Sequence, residues 1–305
     1  MTSRRHSAFC LLFLSLTLAS VATAQSSAPT KAILVTGASS GIGRKITERL
    51  AANGFFVYAG ARAQKDIDDL SAIKNVQGVR LDVTVPAEIA AAVATVAKGG
   101  RGLYGVVNNA GVVVVAPMIE AEEKELDFIF NVNMYGPYRI TRAFEPLIIA
   151  SRGRILTIGS ISGILASPDL SAYSMSKHAM EAFTDSLAQQ LAPQGVQVSI
   201  VEPGNYDSDI GKSATRRTGT PSRFTDRSKY KEPDEVAAAV EHALFDATPK
   251  RRYMVVPNQQ EAEWTIQKQV QQLVQLNEGQ PYTYDRDALI RMLDAALAQS
   301  QPQTK

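Results

Sequence analysis

The sequence is poor in the residues that build disulfides and metal sites. Among its 305 residues there is one cysteine, Cys10, and there are three histidines. Cys10 lies in an N-terminal segment that we expect to be removed, so the working chain has no disulfide, no thiol nucleophile and no cysteine-based metal site. With two histidines left, we expect no dependence on a metal. Of these, His178 directly follows Lys177 in a helical pattern, and we expect it to be a satisfied or exposed side chain and not a ligand.

Charge of one sign is not in excess either. The chain has 32 lysines and arginines against 30 aspartates and glutamates, and two of the arginines belong to the N-terminal segment. The remaining chain is formally neutral, which argues against nucleic acid or an anionic membrane surface as a partner. Apolar residues make up 45% of the sequence, a value that is ordinary for a globular protein.

The first 24 residues have the pattern of a secretory signal peptide. Arg4 and Arg5 precede the apolar run 9–21, and small residues end the segment at Ala24. The run is shorter than the about 20 residues that a membrane-spanning helix needs. We therefore expect residues 1–24 to be cleaved and the protein to be exported to the periplasm or the exterior. An uncleaved membrane anchor is the alternative, and the arginine pair leaves both general secretory and twin-arginine export open.

From residue 31 onward, short apolar runs alternate with helical patterns. The strand-like runs are 32–35, 55–59, 79–81, 103–107, 155–158, 196–201 and 253–256, with helical patterns such as 88–97 and 179–191 between them. Apolar residues follow one another in these runs, which is typical of strands buried on both faces. The alternation predicts an α/β fold with a doubly wound parallel sheet of about seven strands, helices on both faces and a ligand crevice at the carboxyl ends of the strands.

Two regions lie outside this alternation. Residues 204–232 lack periodicity and carry seven cationic residues, Lys212, Arg216, Arg217, Arg223, Arg227, Lys229 and Lys231. A loop of this length predicts a substrate lid, either one that favours an anionic substrate or a solvated, mobile flap. Residues 258–305 predict a helical extension whose apolar stripes pack on the core or on a second subunit. A linker, 25–30, and one catalytic domain, 31–257, complete the predicted organisation.

A glycine-rich turn joins the first strand to the first helix. Glycines at 37, 41 and 43 allow the backbone to approach a pyrophosphate, and the helix start supplies free N–H groups. The turn predicts a dinucleotide site. Its members are Gly37, Ser39, Ser40, Gly41, Ile42 and Gly43.

At this turn and at later motifs the chain resembles the short-chain dehydrogenase/reductase family. The matching motifs are Thr-Gly-x-x-x-Gly-x-Gly at 36–43, Asn-Asn-Ala-Gly at 108–111, Asn-Met-Tyr-Gly at 133–136, Ser160, Tyr-x-x-x-Lys at 173–177 and Pro-Gly at 203–204. They occur in the family's order, and Ser160 precedes Tyr173 by 13 residues, the usual family spacing. The resemblance implies a Rossmann-type fold and an NAD(P)-dependent oxidoreductase that acts on an alcohol or a ketone.

The resemblance also implies the role of each catalytic residue. Tyr173 would be the general acid/base, and Ser160 would hold the substrate oxygen. Lys177 would assist Tyr173, and Asn133 would anchor a water that relays protons between Lys177 and solvent.

Further cofactor contacts are implied in the same way. Asp82 and Val83 would flank the adenine, and Asn109 would lie along the cofactor. Pro203 and Gly204 would border the nicotinamide. Where the family commonly has threonine, Ser208 keeps a hydroxyl for the nicotinamide carboxamide.

The spacing of Tyr173 and Lys177 has a physical meaning of its own. Residues four apart share one face of a helix. Free tyrosine has a pKa near 10, so about 0.1% is phenolate at neutral pH, and about 4 kcal/mol of preferential stabilisation is needed to lower that pKa to neutrality. The ammonium of Lys177 and the positive ring of an oxidised nicotinamide can supply it. We therefore expect Tyr173 to be partly ionised.

The end of the second strand favours NADP(H) over NAD(H). An acid at this place would bind the ribose 2′-hydroxyl and repel a 2′-phosphate. The strand instead leads into Arg62, whose guanidinium can bind the 2′-phosphate.

Two functions of different classes fit these patterns. The first is an NADP-dependent alcohol dehydrogenase or carbonyl reductase for a bulky or lipophilic substrate. The alternative is a catalytically silent nucleotide-binding regulator or scaffold. The complete set of Ser160, Tyr173 and Lys177 favours the enzyme.

Overall fold

The computed structural model describes residues 31–300. The predicted signal peptide and linker lie outside these residues, as do residues 301–305. None of the helices between residues 31 and 300 is both long and apolar enough to cross a membrane.

A seven-stranded sheet forms the centre of the molecule. All neighbouring strands are parallel, in the order β3-β2-β1-β4-β5-β6-β7. The strands are β1 Ala32–Val35, β2 Phe56–Ala61, β3 Val76–Arg80, β4 Gly105–Asn108, β5 Arg154–Ile158, β6 Gln197–Pro203 and β7 Arg252–Val255. The predicted doubly wound parallel sheet is confirmed, and each predicted strand is present within a few residues of its expected place.

Helices connect the strands. They are α1 Gly41–Ala52, α2 Gln64–Ser71, α3 Pro86–Lys98, α4 Glu123–Asn133, α5 Tyr135–Ser151, α6 Ser171–Leu191, α7 Ile210–Thr218, α8 Asp234–Phe245, α9 Gln259–Asn277 and α10 Arg286–Ser300. Short 3₁₀ turns occupy Ile161–Gly163 and Ala192–Gln194.

Two apolar layers enclose the sheet. Alternate residues of a strand point to opposite faces, so Ile33 and Val35 of β1 pack with α1, α2 and α8. Ala32 and Leu34 of the same strand pack with α3, α5 and α6 on the other face. This double burial explains why the sequence of β1 is continuously apolar rather than alternating.

The predicted lid contains a helix that its sequence does not show. Residues 210–218 form α7, although Ile210 is its one large apolar residue. The helix is held by tertiary contacts instead, because a Cβ at Gly211 would lie 1.6 Å from the carbonyl oxygen of Phe224. Arg217 forms an ion pair with Glu125 of α4, with a distance of 2.6 Å from Nη2 to Oε2. This part of the lid is therefore helical and packed at Gly211, while its mobility and its preference for an anionic substrate stay predictions.

The C-terminal extension is helical, as expected, but most of its apolar stripe does not pack on the core. The first turn of α9 is anchored, because Glu261 and Thr265 are buried. Further along α9, Ile266, Val270 and Leu273 are each about half exposed. Packing of this stripe on the core of the same chain is thus excluded, and packing on a second subunit stays a prediction.

Candidate active site

A cavity of about 730 Å³ opens at the carboxyl ends of the strands. Of the predicted site residues, Gly37, Ser39, Ser40, Gly41, Ile42, Gly43, Arg62, Asp82, Val83, Asn109, Ser160, Tyr173, Lys177, Pro203, Gly204 and Ser208 line it. The glycine turn and Arg62 form one end, and Ser160, Tyr173 and Lys177 form the other. The parallel topology brings these distant segments together, because it places the end of every strand at one edge of the sheet.

The glycine turn leaves no room for side chains at its three glycine positions, 37, 41 and 43. Gly37 and Gly41 have φ angles of 63° and 51°, values that L side chains rarely adopt. A Cβ at Gly43 would lie 2.3 Å from the carbonyl oxygen of Gly37. The Nδ2 of Asn109 donates to that same oxygen over 3.0 Å, so β4 fixes the turn.

The helix start that follows this turn can receive an anion. Ser40 precedes α1 in an extended conformation, and its side chain caps no N–H group within the described residues. The first turn of α1 carries no acidic side chain in residues 41–44. Free N–H groups and the positive end of the helix dipole therefore suit a pyrophosphate, which is the fit expected of a dinucleotide site.

Arg62, directly after β2, lines the same end of the cavity as the glycine turn. Its side chain is 73% exposed, and its Nη1 lies 3.9 Å from Oδ2 of Asp82. A guanidinium this exposed is free to bind a ligand phosphate. Asp66, which the sequence analysis did not single out, also lines the cavity here, from the first turn of α2.

Ser160 and Tyr173 meet at the opposite end. Ser160 follows β5, and its Oγ accepts a hydrogen bond from the backbone N–H of Ser162 at 3.0 Å. Burial raises the pKa of Tyr173, while a hydrogen bond with Ser160 and the charge of Arg227 act to lower it. Among the protein's own side chains, burial of the phenol outweighs the two groups that favour the phenolate, and the expected ionisation beside an oxidised nicotinamide stays a prediction.

Lys177 is buried one helical turn beyond Tyr173. Its Nζ lies 5.6 Å from the centre of the Tyr173 ring and donates to the carbonyl oxygen of Ile158 at 2.8 Å. Burial lowers the pKa of Lys177 to about 8, and the negative charge of Glu181 acts against that shift. The ammonium thus donates to the end of β5 and lies within a few ångströms of the Tyr173 ring. His178 is exposed, as its position after Lys177 predicted.

Asn133 lies behind the cavity, and its side chain is already engaged. Its Oδ1 accepts from the N–H of Val112 at 2.8 Å, and its Nδ2 donates to the carbonyl of Val112 at 2.9 Å. The amide also donates to Ser176. The backbone carbonyl of Asn133 lacks the usual helical donor, because residue 137 is proline. If Asn133 anchors a water, its carbonyl rather than its side chain is the group available.

Several lining or supporting residues gave no signal in the sequence. Glu261 of α9 accepts from the N–H of Asn205 at 2.8 Å, and its carboxylate fills the space where Gly204 lacks a side chain. Trp264 lines the cavity from the same helix. Arg227 was one cation among seven. These roles arise from tertiary contacts, which neither spacing nor periodicity records.

A buried pair of carboxyl groups lies beyond Lys177. Glu181 of α6 and Glu202 of β6 each have an Oε1 that accepts no hydrogen bond from residues 31–300. Burial, with the nearby Glu181 carboxylate adding to it, raises the pKa of Glu202 to about 8. Arg252 opposes this shift, with its Nε 3.7 Å from Oε1 of Glu202. Burial in the folded protein therefore favours the protonated form of Glu202.

This pair predicts a pH-dependent stability. Because the folded pKa of Glu202 lies above the unfolded value, its contribution is full below about pH 4.5 and is lost as pH rises through about 8. Glu202→Gln keeps the shape of the protonated acid and removes the titration. We expect the variant to match the wild type at pH 5 and to exceed it at pH 9 by on the order of 3 kcal/mol in urea unfolding. Glu120→Gln, at an exposed carboxylate, is the control. Equal pH slopes for Glu202→Gln and wild type would contradict the assignment.

The described part of the chain contains no candidate site for a metal ion. Between residues 31 and 300, no group of three or more histidine, cysteine, aspartate or glutamate side chains is arranged to hold a metal ion.

Comparison with known proteins identifies the family. The model of the short chain dehydrogenase family matches residues 31–219. The chain belongs to the short-chain dehydrogenase family. It is similar to the uncharacterized oxidoreductase YbbO of Escherichia coli K12, with 32% identity over 235 residues that cover 74% of this chain and 85% of YbbO. The predicted resemblance is confirmed, and the protein is an oxidoreductase of that family.

Two further similarities extend this finding. Mitochondrial D-β-hydroxybutyrate dehydrogenase of Rattus norvegicus is 32% identical over 266 residues, which cover 73% of this chain and 76% of the rat protein. A short-chain dehydrogenase from Burkholderia cenocepacia, whose crystal structure holds NADP, aligns with a TM-score of 0.66 and 25% identity. That alignment covers 83% of this chain and 98% of the Burkholderia chain.

Proposed function

We propose that the protein is an NADP-dependent oxidoreductase that interconverts an alcohol and a ketone, with Tyr173 as general acid/base. One observation carries the proposal: Ser160, Tyr173 and Lys177 line one end of a cavity whose other end is the glycine turn. The apolar side chains of Leu165, Leu170 and Phe224 also line this cavity, which favours a bulky or lipophilic substrate.

The groups that would hold NADP fit its parts. The start of α1 suits the pyrophosphate, and Arg62 suits the 2′-phosphate because no acid ends β2. Ser208 lies beside the glycine turn, because a Cβ built at Gly41 would be 3.2 Å from the Cβ of Ser208. Ser208 is therefore on the wall of the same cavity. Similar solved structures hold NADP in one case and NAD in another, so the choice of NADP rests on Arg62.

The geometry suggests how the protein's own groups would act in reduction. A carbonyl oxygen between Ser160 and Tyr173 would accept a hydrogen bond from each hydroxyl. Because its pKa is raised, Tyr173 is neutral and has a proton to donate to that oxygen. The ammonium of Lys177, 5.6 Å from the ring centre, would stabilise the phenolate that remains. The nicotinamide would supply the hydride in this direction and accept it in the other.

The pKa of Lys177 predicts the pH profile of reduction. Since burial lowers the pKa of Lys177 to about 8, the ammonium is present below that pH and lost above it. We expect kcat/KM for reduction to fall tenfold per pH unit above about 8. Glu181→Gln should move the fall to lower pH, because it removes the charge that favours the ammonium. Glu120→Gln, at an exposed carboxylate that does not line the cavity, is the control. A profile unchanged by Glu181→Gln would contradict this role of Lys177.

The proposed function is tested by absorbance at 340 nm. NADPH oxidation would be followed with a panel of aldehydes and ketones, and NADPH binding would be measured separately by its fluorescence. Turnover of any panel member supports the oxidoreductase. Tight NADPH binding without turnover of any of them would favour the nucleotide-binding regulator.

A further inference from the structure

The lid contains a buried arginine that the proposed mechanism does not use. Arg227 is 7% exposed, although it belongs to the lid, residues 204–232, which carries seven cationic residues. Burial of a guanidinium is costly unless an anion accompanies it. The partners of Arg227 therefore indicate what the site is built to bind.

Four of the other six lid cations have acidic partners among the described residues, and one of these pairs is Lys212 with Asp209. Arg217 pairs with Glu125, Arg223 pairs with Asp169 at 2.7 Å, and Lys231 pairs with Glu235. Arg227 is buried more deeply than these residues, yet it forms no ion pair with any residue from 31 to 300. Its charge is left uncompensated by protein groups.

The guanidinium is nevertheless held in one position. Its Nε donates to the carbonyl oxygen of Tyr206 at 2.9 Å, and its carbon lies 4.5 Å from the centre of the Tyr230 ring. Tyr206 is itself buried, and its hydroxyl donates to Glu235 at 2.5 Å. Of the remaining donors, Nη2 reaches Asn205 over a long 3.5 Å, and Nη1 finds no acceptor among the described residues. The edge of the guanidinium formed by Nη1 and Nη2 thus stays available to a ligand.

This free edge belongs to the cavity wall near Tyr173. Arg227 lines the cavity, and its charge acts on the phenol, whose pKa it lowers. A fixed, desolvated guanidinium with an open edge is suited to the two oxygens of a carboxylate. Leu165, Phe224 and Trp264 line the same cavity with apolar surface.

We propose that Arg227 binds a carboxylate of the substrate, so that the protein acts on oxo acids and hydroxy acids with an apolar body. This inference rests on the proposed oxidoreductase function, and it names the substrate class of the same site. Ser160 and Tyr173 would take the reacting oxygen, and Arg227 would select and orient the acid.

The kinetic test compares acids with their neutral esters. The probes are benzoylformate, acetoacetate and levulinate, each with its methyl ester, so that three spacings of ketone and carboxylate are sampled. With the wild type, at least one acid should have a kcat/KM well above that of its ester. Arg227→Met should raise KM for that acid about 30-fold, the loss expected for a hydrogen-bonded charge pair, and should leave the ester unchanged. Arg227→Lys should restore part of the loss.

A matched control and a binding measurement complete the design. Lys229→Met removes one charge from the same lid at an exposed residue that does not line the cavity, and it should change neither substrate. Calorimetry with hexanoate and the NADP⁺-loaded protein measures carboxylate binding without turnover. Arg227→Met should abolish hexanoate binding. Melting temperatures would show that each variant is folded.

The outcomes separate this inference from the proposed function. If no ketone is reduced but hexanoate binds through Arg227, the proposed alcohol–ketone activity fails and the carboxylate site stands. If Arg227→Met affects acid and ester equally, or weakens NADPH binding instead, the guanidinium serves the fold or the cofactor pyrophosphate and the proposal is overturned. Arg227→Gln decides the case in which Arg227→Met does not fold, because it also removes the charge, and a folded Arg227→Gln with unchanged acid preference would overturn the proposal.

Discussion

Tyr173→Phe should lower kcat about 10³-fold and leave NADPH binding unchanged. The phenol hydroxyl is the group placed to donate a proton to the substrate oxygen, and general acid catalysis contributes on the order of 10²–10⁴-fold. The ring itself remains, so the cavity wall and the contact with Lys177 are kept. Single-turnover absorbance at 340 nm measures the chemical step, and NADPH fluorescence measures the affinity.

A tyrosine outside the cavity is the control for this variant. Tyr135 begins α5 and is half exposed, so Tyr135→Phe removes a phenol hydroxyl without touching the site. It should keep wild-type rates. If Tyr173→Phe retained wild-type kcat, another group would have to protonate the substrate and the proposed mechanism would fail.

Arg62→Asp should reverse the nucleotide preference, with the ratio of NADPH to NADH affinities changing about 10³-fold. The substitution removes a partner of the 2′-phosphate and adds a carboxylate that repels it but accepts from a 2′-hydroxyl. Arg62 is 73% exposed, so the fold should tolerate the change. Titration of both nucleotides by fluorescence at fixed ionic strength gives the ratio.

The matching control reverses the same charge nearby. Lys65 of α2 is exposed, pairs with Asp69 and does not line the cavity. Lys65→Asp should leave the ratio within about threefold of wild type, because exposed charges at a distance are screened by salt. An equal shift in both variants would mean that the general field, not a contact with the 2′-phosphate, sets the preference.

The predictable parts of this structure are those that depend on the sequence pattern of neighbouring residues. A strand buried on both faces must be continuously apolar, as β1 is, and a tight turn at Gly37 must be glycine because its φ is 63°. The place of Ser160 and Tyr173 followed from the family spacing. These features constrain neighbouring residues, so a single sequence records them.

The rest depends on contacts between distant segments. Nothing local distinguishes Arg227 from the six other lid cations, because the hydrogen bond that holds its guanidinium goes to the backbone of Tyr206, 21 positions earlier. The engagement of Asn133 with Val112 requires α4 to lie beside the end of β4. The raised pKa of Tyr173 likewise reflects how deeply the site is enclosed, which charge and spacing do not reveal.

Glu261 holds the segment that follows β6, so the part of the chain that shapes the cavity includes the first turn of α9. This side chain bridges Asn205, at the end of β6, and Asn258, the cap of the helix. The segment that follows β6 therefore takes its course from a residue 56 positions later. A shortened chain or a fusion joint that removes this first turn would loosen the wall that faces the reacting atoms, whereas the exposed remainder of the helix is free to diverge.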